Sequence, residues 1–320
     1  MFDFAGNRVG LAVRTLLVTA SVAAVLAIAA CNKQQQSEPA QAGPKTFASP
    51  EDAGKALAAA AKAQDQNAIL QIFGPASKDI VSSGDATEDK ASLDGFAQAY
   101  QAMNRWRKLS DGTELLFVGT DNQAFPVPLM KNAAGQWYFD AAAGKEEILA
   151  RRIGKDEIAV IDICASIADA QQQYFSQRHD GVNQYAEKFI SDEGKKNGLY
   201  WSTPDGQPTS PLGPLVAYAT AEGYKVQQGQ RQPYYGYYFG MLDKQGADAK
   251  GGAKNYMVNG KMTGGFAVVA YPAQYGDSGI MTFIIDRNGV AYQKDLGTNT
   301  DQVAAAMAEF NPDKSWTVVE

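Results

Sequence analysis

The spacing of apolar residues changes along the chain from helical to strand-like and predicts an α+β protein. The segment Ser49-Pro50-Glu51-Asp52 predicts a helix start, because serine caps a helix and proline suits its first position. Apolar residues recur at steps of three and four over 91–106, which predicts a further helix. Three short apolar or alternating runs follow, at 114–119, 124–131 and 136–140. Gly, Asn and Asp separate them, a pattern typical of an antiparallel meander.

The second half repeats this order of helices followed by strands. Helices are predicted over 145–153 and 155–176, and the second carries one apolar stripe. Its members are Val160, Ile163, Ile167, Ala170 and Tyr174. A Gly- and Pro-rich loop spans 194–229, with a short helix after Pro214. Strands are predicted at 237–239, 256–258, 266–271, 281–285 and 290–292, with hairpin turns at Asn259-Gly260 and Asn288-Gly289 and a closing helix over 302–310.

The N-terminus has the layout of a secretory signal. Arg8 and Arg14 precede an uncharged apolar run that starts near Leu16 and ends in small residues before Cys31. The run is short for a membrane-spanning helix. Segment 1–30 is therefore predicted to be a signal peptide. Residues 31–46 are rich in Gln, Pro and small side chains, which predicts a flexible tether.

Cys31 in this setting resembles the lipobox cysteine of bacterial lipoproteins. The resemblance implies that Cys31 is lipidated, becomes the first residue of the mature protein and anchors the chain to a membrane. Asn32, which is not Asp, then implies the periplasmic face of the outer membrane in a Gram-negative host. An ordinary secretory signal with an incidental cysteine is the alternative.

Composition narrows the functional classes. The formal net charge is −6 and no basic cluster interrupts the sequence, so nucleic-acid binding is not favoured. The chain has one His and two Cys, so neither a zinc site nor a disulfide within the mature chain is expected, and no cofactor is predicted. The length of the mature chain favours two domains, at 47–153 and 154–320.

Hydrolase chemistry is the competing reading. Gly276-Asp277-Ser278-Gly279 is similar to the nucleophile segment of chymotrypsin-like proteases, and His179 is the one available imidazole. Ile280 departs from that pattern, and Gly and Asp are ordinary turn residues, so no catalytic residue is assigned. An envelope hydrolase acting on peptide or glycan through Ser278 or Asp277 stays the alternative to a non-enzymatic interaction or assembly module.

An aromatic cluster supports the interaction reading. Tyr234, Tyr235, Tyr237 and Tyr238 lie at the start of an aromatic-rich predicted strand, and alternate residues of a strand face opposite sides. Exposed tyrosines offer large contact area at small entropic cost. We therefore predict that these residues, with the 194–229 loop, bind a protein partner; core packing is the competing interpretation.

Three resemblances bear on fold and family. The order of elements over 47–144, closing in Trp137-Tyr138-Phe139-Asp140, resembles the cone of nuclear-transport-factor-like domains. A long helix, a loop and then a meander, with 264–272 and 278–290 as its strands, resembles pilin-like and pseudopilin-like globular domains. The whole mature chain resembles a family of uncharacterised bacterial exported proteins and lipoproteins. That likeness rests on 47–51, 143–154, 198–201, 235–238 and 258–262, and it implies no mechanism.

Overall fold

The structure is a computed structural model that describes residues 43–204, 206–225 and 231–319. Cys31, the predicted signal and most of the predicted tether lie outside these residues. Residues 41–320 form one compact unit. In the part of the chain that the structure describes, no helix is both long and apolar enough to cross a membrane.

Seven α-helices occur in the described residues. They are α1 (Pro50–Lys62), α2 (Gln66–Phe73), α3 (Lys78–Val81), α4 (Ala86–Ala102), α5 (Ala141–Ser176), α6 (Gly213–Ala221) and α7 (Thr300–Ala305). Helix α1 starts as predicted: the Ser49 hydroxyl accepts the N–H of Asp52 at 3.1 Å, and Pro50 follows it.

The strands are short and mostly antiparallel. They are β1 (Asn104–Lys108), β2 (Glu114–Val118), β3 (Gln123–Ala124), β4 (Leu129–Lys131), β5 (Trp137–Phe139), β6 (Arg178–His179), β7 (Val182–Asn183), β8 (Tyr237–Leu242), β9 (Lys244–Gln245), β10 (Lys254–Asn255), β11 (Met257–Val258), β12 (Lys261–Met262), β13 (Ala267–Pro272), β14 (Met281–Asp286), β15 (Ala291–Asp295), β16 (Glu309–Phe310) and β17 (Thr317–Val318). Together with the helices they confirm the α+β class.

Buried apolar residues form two clusters. The first joins α1, α2 and α3 to a sheet of order β1-β2-β4-β5, with β3 also paired to β2. The second lies between the C-terminal half of α5 and an antiparallel sheet of order β17-β15-β14-β13-β8. Strand β13 is buried at every position, because α5 and α7 pack near a strand that already has neighbours on both edges.

Helix α5 is continuous across the predicted boundary at residue 154. Two helices were expected there, but one helix of 36 residues runs through Gly154. Glycine inside a helix costs about 1 kcal/mol relative to alanine, which packing at both ends outweighs. The division into domains 47–153 and 154–320 stays a prediction.

Two further boundaries differ from expectation. The helix predicted over 91–106 ends at Ala102, because Asn104–Lys108 pairs antiparallel with β2 instead. The closing helix predicted over 302–310 is α7 followed by β16, since Glu309–Phe310 pairs parallel with β9. Strand pairing overrides the local helical pattern in both places, with the next strand in the first case and with a strand far away in sequence in the second. The Asn259-Gly260 hairpin is confirmed, with φ of 51° and 73°.

Candidate functional site

The predicted tyrosine cluster forms a tight hairpin, called here the tyrosine hairpin (Tyr234–Tyr238). The N–H of Tyr234 donates to the carbonyl of Tyr237 at 2.9 Å, and the N–H of Tyr237 donates back to the carbonyl of Tyr234 at 3.2 Å. Tyr235 and Gly236 between them have φ of 49° and 66°, as a type I′ turn requires. A bulky residue with positive φ is uncommon, so this turn is held by its surroundings.

The four tyrosines differ in exposure. Tyr237 is 0 % exposed, and its hydroxyl donates to the carbonyl of Met281 at 3.0 Å. Tyr234, Tyr235 and Tyr238 are half-buried. Core packing is therefore the role of Tyr237, which the structure does not present to a partner. Partner binding by the other three stays a prediction.

An apolar groove lies beside the tyrosine hairpin. Its volume is about 290 Å³. Helix α5 contributes Ile163 and Ile167, α6 contributes Leu215 and Val216, and the hairpin contributes Tyr238. The groove thus lies between part of the 194–229 loop and strand β8. That these segments bind a partner stays a prediction.

Helix α6 is unusual among the helices that the structure describes. Its sequence, GPLVAYATA, has no charged residue, yet none of its residues is fully buried. Tyr218 is 58 % exposed. An apolar helix on a protein surface ordinarily packs against something, so α6 presents a face suited to docking.

A set of buried carboxyl groups lies beneath the tyrosine hairpin. The acid cluster consists of Asp85, Glu88 and Asp156, all less than a tenth exposed. Asp85 is the N-cap of α4, and its Oδ1 accepts the N–H of Glu88 at 3.2 Å. Its Oδ2 accepts the hydroxyl of Tyr224 at 2.9 Å and the N–H of Gly236 at 3.2 Å. One side chain thus caps a helix and fixes the hairpin turn.

Lys155 connects the acid cluster to the tyrosines. Its ammonium pairs with Glu88 Oε1 and lies 5.4 Å from the ring centroid of Tyr235. The Tyr235 hydroxyl donates to Glu222 at 2.8 Å. The strained turn of Tyr235 is therefore held by one cation and one carboxylate.

Asp156 is the most perturbed acid of this cluster. It is 0 % exposed, and neither of its carboxyl oxygens receives a hydrogen bond from a donor in the described residues. Burial, reinforced by the nearby Glu88 carboxylate, raises its pKa from 3.8 to about 9, although Lys155 and Arg152 act in the opposite direction. Asp156 therefore carries its proton at neutral pH.

This arrangement can hold one proton away from solvent. A carboxyl–carboxylate pair is a common source of general acid and base groups, but a substrate must reach it. Asp156 is closed off by Gly236, where an added Cβ would lie 3.0 Å from Asp156 Oδ2. The geometry favours a structural contact between α4, α5 and the tyrosine hairpin, whose stability depends on the Asp156 proton, over a catalytic pair of carboxyl groups.

A family model described as a protein of unknown function, DUF2950, matches residues 44–319. The chain belongs to the DUF2950 family. No curated protein and no solved structure matches it. The family match confirms the resemblance to an uncharacterised family and leaves the cone-like and pilin-like likenesses as predictions.

The residues considered for hydrolysis are not assembled in this DUF2950 protein. Ser278 is 0 % exposed, and its hydroxyl donates to the carbonyl of Gln274 at 3.2 Å and accepts its N–H at 3.1 Å. His179 stacks on Tyr174 with ring centroids 3.7 Å apart, and burial lowers its pKa. Asp277 is half-buried with a raised pKa caused by desolvation. Ser278 has the surroundings of a turn residue.

Cys164 is a core residue with no sign of catalytic or metal-binding chemistry around it in the described residues. Cys164 is free and buried, and burial raises its pKa to about 12, as expected of a small core residue. Within the described ranges no group of three or more His, Cys, Asp or Glu side chains is placed to hold a metal ion.

The sequence analysis did not predict the acid cluster of the DUF2950 chain, although the sequence contains one signal of it. Asp156 lies four residues before Val160 and so continues the apolar stripe of α5. A carboxylate on a core-facing stripe indicates a buried, perturbed group. Its partners Asp85 and Glu88 are about seventy residues earlier, and only the fold brings them together.

Proposed function

We propose that the protein is an envelope-anchored lipoprotein that acts as a non-enzymatic interaction module. Lipid on Cys31 holds it at the periplasmic face of the outer membrane, and a protein partner docks on α6 and the adjoining groove. The observation that carries the proposal is that α6 has no charged residue and yet has no fully buried residue.

The chemistry of the groove defines the kind of partner. Its walls are aliphatic and aromatic, and Arg231 lies 3.9 Å from the ring centroid of Tyr238 and 4.8 Å from that of Tyr271. Tyrosine and arginine are enriched among residues that dominate binding energy. The charge of Arg231 is already paired with Asp301, at 3.2 Å. The expected partner is therefore an envelope protein that inserts an apolar segment next to α6 and Tyr238.

Crosslinking at α6 tests the docking surface. A photo-crosslinking residue at Tyr218 should give a discrete adduct in the intact envelope, and the same residue at Val303, which is 48 % exposed on α7, should not. Tyr238→Ala should weaken partner capture by about 1–2 kcal/mol, roughly tenfold, with little change in melting temperature. Equal adducts at both positions, or capture unaffected by Tyr238→Ala, would contradict the docking surface.

Fractionation tests the anchor separately. Replacing Cys31 by Ser removes the thiol that would be acylated, so the variant should leave the membrane fraction or remain unprocessed. Mass spectrometry of the mature N-terminus should show acyl chains on the natural protein. The anchor proposal fails if the variant fractionates with membranes as the natural protein does.

A further inference from the structure

A second cavity lies in the N-terminal half, away from the groove, and nothing proposed so far uses it. Its volume is about 470 Å³, and helices α1 to α5 line it together with β2, β3 and the loop after β3. The interior is apolar and aromatic. Its main side chains are Leu57, Phe73, Leu93, Phe96, Val118 and Phe125.

The exposure pattern of α4 shows that this cavity replaces part of a core. Within α4 the fully buried residues are two acids, Glu88 and Asp89, whereas Leu93 and Phe96 on its apolar stripe are only half-buried. A packed interior would bury the apolar residues first. Phe96 instead lines the cavity beside Phe125, with ring centroids 5.1 Å apart.

Gly95 keeps one side of the cavity open. It lies inside α4, where glycine is unfavourable relative to alanine. No heavy atom lies within 4 Å of the position that its Cβ would take. Exposed lining residues, among them Gly95 and Arg151, mark the side that faces solvent.

Polar groups at the cavity offer more donors than acceptors. Asp89 already accepts the Ser82 hydroxyl and the Ser83 N–H, each at 2.8 Å. Glu88 Oε1 accepts the Lys155 ammonium, and Glu88 Oε2 is a buried acceptor with no hydrogen-bond partner in the described residues. The ammonium of Lys155 has two further N–H groups and is half-exposed.

Two consecutive arginines of α5, both of which line the cavity, add to this excess. The guanidinium of Arg152 donates to the main-chain carbonyls of Asp79 and Ile80, at 2.9 and 3.0 Å, and its charge meets no carboxylate within ion-pair distance in the described residues. Arg151 uses Nε for Glu147 and one terminal nitrogen for the Ala124 carbonyl. Its other terminal nitrogen has no hydrogen-bond partner among the residues that the structure describes.

From the apolar walls and the spare donors we infer that this cavity binds an amphipathic anion. The apolar body occupies the space between α4 and the sheet, and a carboxylate or phosphate head lies against Arg151 and Lys155. The inference stands independently of the docking surface on α6.

Two dyes that differ in one charged group test it. Anilinonaphthalene sulfonate and N-phenylnaphthylamine share their rings, and only the first carries an anion. Both should bind the natural chain at one saturable site, the sulfonate about tenfold more tightly because hydrogen bonds to charged groups are stronger. Dodecanoate and dodecyl phosphate should displace the dyes, and the tighter competitor identifies the head group.

Matched variants place the dyes in the cavity. Gly95→Leu fills open space in the cavity and should weaken the binding of both dyes by about tenfold or more. Gly154 is the control: it also lies inside a helix, and its added Cβ would meet no atom within 4 Å outside its own helix backbone. Gly154→Leu should therefore change the binding of neither dye. Arg151→Gln should lower the affinity for the sulfonate dye by roughly two- to fivefold and leave the affinity for the neutral dye unchanged. Lys62→Gln removes one charge elsewhere and should change neither affinity. Melting curves confirm that each variant is folded.

The outcomes separate the two parts of the inference. Absence of saturable binding, or binding that Gly95→Leu leaves intact, overturns the cavity as a ligand site. The claim that the cavity recognises an anionic head group is overturned by either of two results. The natural chain binds both dyes with equal affinity, or Arg151→Gln lowers the affinity for both dyes alike.

Discussion

Replacing Asp156 by Asn is expected to flatten the pH dependence of stability and to stabilise the protein at alkaline pH. The folded pKa of Asp156, about 9, lies above its ordinary value of 3.8, so the folded state binds a proton that the unfolded state releases. This stability is fully present below about pH 3.8 and is lost as the pH rises toward 9. Within that window the natural protein loses stability with each pH unit, whereas the Asn variant lacks the part of this loss that comes from residue 156.

Denaturant unfolding between pH 5 and 8 measures the effect, and a second aspartate on α5 provides the control. Asp169 is exposed, so Asp169→Asn should follow the natural profile. Burial also raises the pKa of Asp85 and Asp277, which adds slope of the same sign in every variant. If the Asp156→Asn variant loses stability with pH as steeply as the natural protein does, the proton is not held at residue 156.

Removing the side chain of Tyr237 is expected to cost more stability than removing any other tyrosine of the hairpin. Tyr237 is fully buried, and its ring lies 6.0 Å from that of Phe283. Tyr237→Ala should therefore lower the free energy of unfolding by about 3–5 kcal/mol. Tyr237→Phe keeps the ring and loses the hydrogen bond to the Met281 carbonyl, a cost of about 1 kcal/mol.

Equilibrium unfolding of these variants beside Tyr238→Ala distinguishes core from surface. Tyr238 is half-buried on the groove side, so its truncation should destabilise less than that of Tyr237 and act mainly on partner capture. Equal destabilisation by Tyr237→Ala and Tyr238→Ala would mean that both rings serve the core, and the groove would lose its aromatic anchor.

Local signals in the sequence predicted much of the fold. Ser49 and Pro50 defined the start of α1, and Asn259-Gly260 defined a hairpin, because caps and type I′ turns depend on few neighbouring residues. The end of α4 was missed because Asn104–Lys108 pairs with a strand that follows it, and pairing energy is not visible in a helical stripe.

The site was predicted only in part, for the same reason. The hairpin tyrosines and the 194–229 loop were identified from composition, and both border the groove. The split between buried Tyr237 and half-buried Tyr238 depends on strand register: Tyr237 pairs with Pro272 and Tyr238 with Tyr271. Register depends on tertiary packing, so the alternation alone left the facing sides undecided.

Helix α5 has a mechanical consequence. Ile148 lines the N-terminal cavity and Ile167 lines the groove, and nineteen residues of one helix separate them, roughly 28 Å along its axis. An uninterrupted helix behaves as a stiff rod, so a rotation or shift imposed at one end reaches the other without a hinge. Any such linkage is reciprocal: a molecule in the cavity that changes partner affinity by some factor has its own affinity changed by the partner by that same factor.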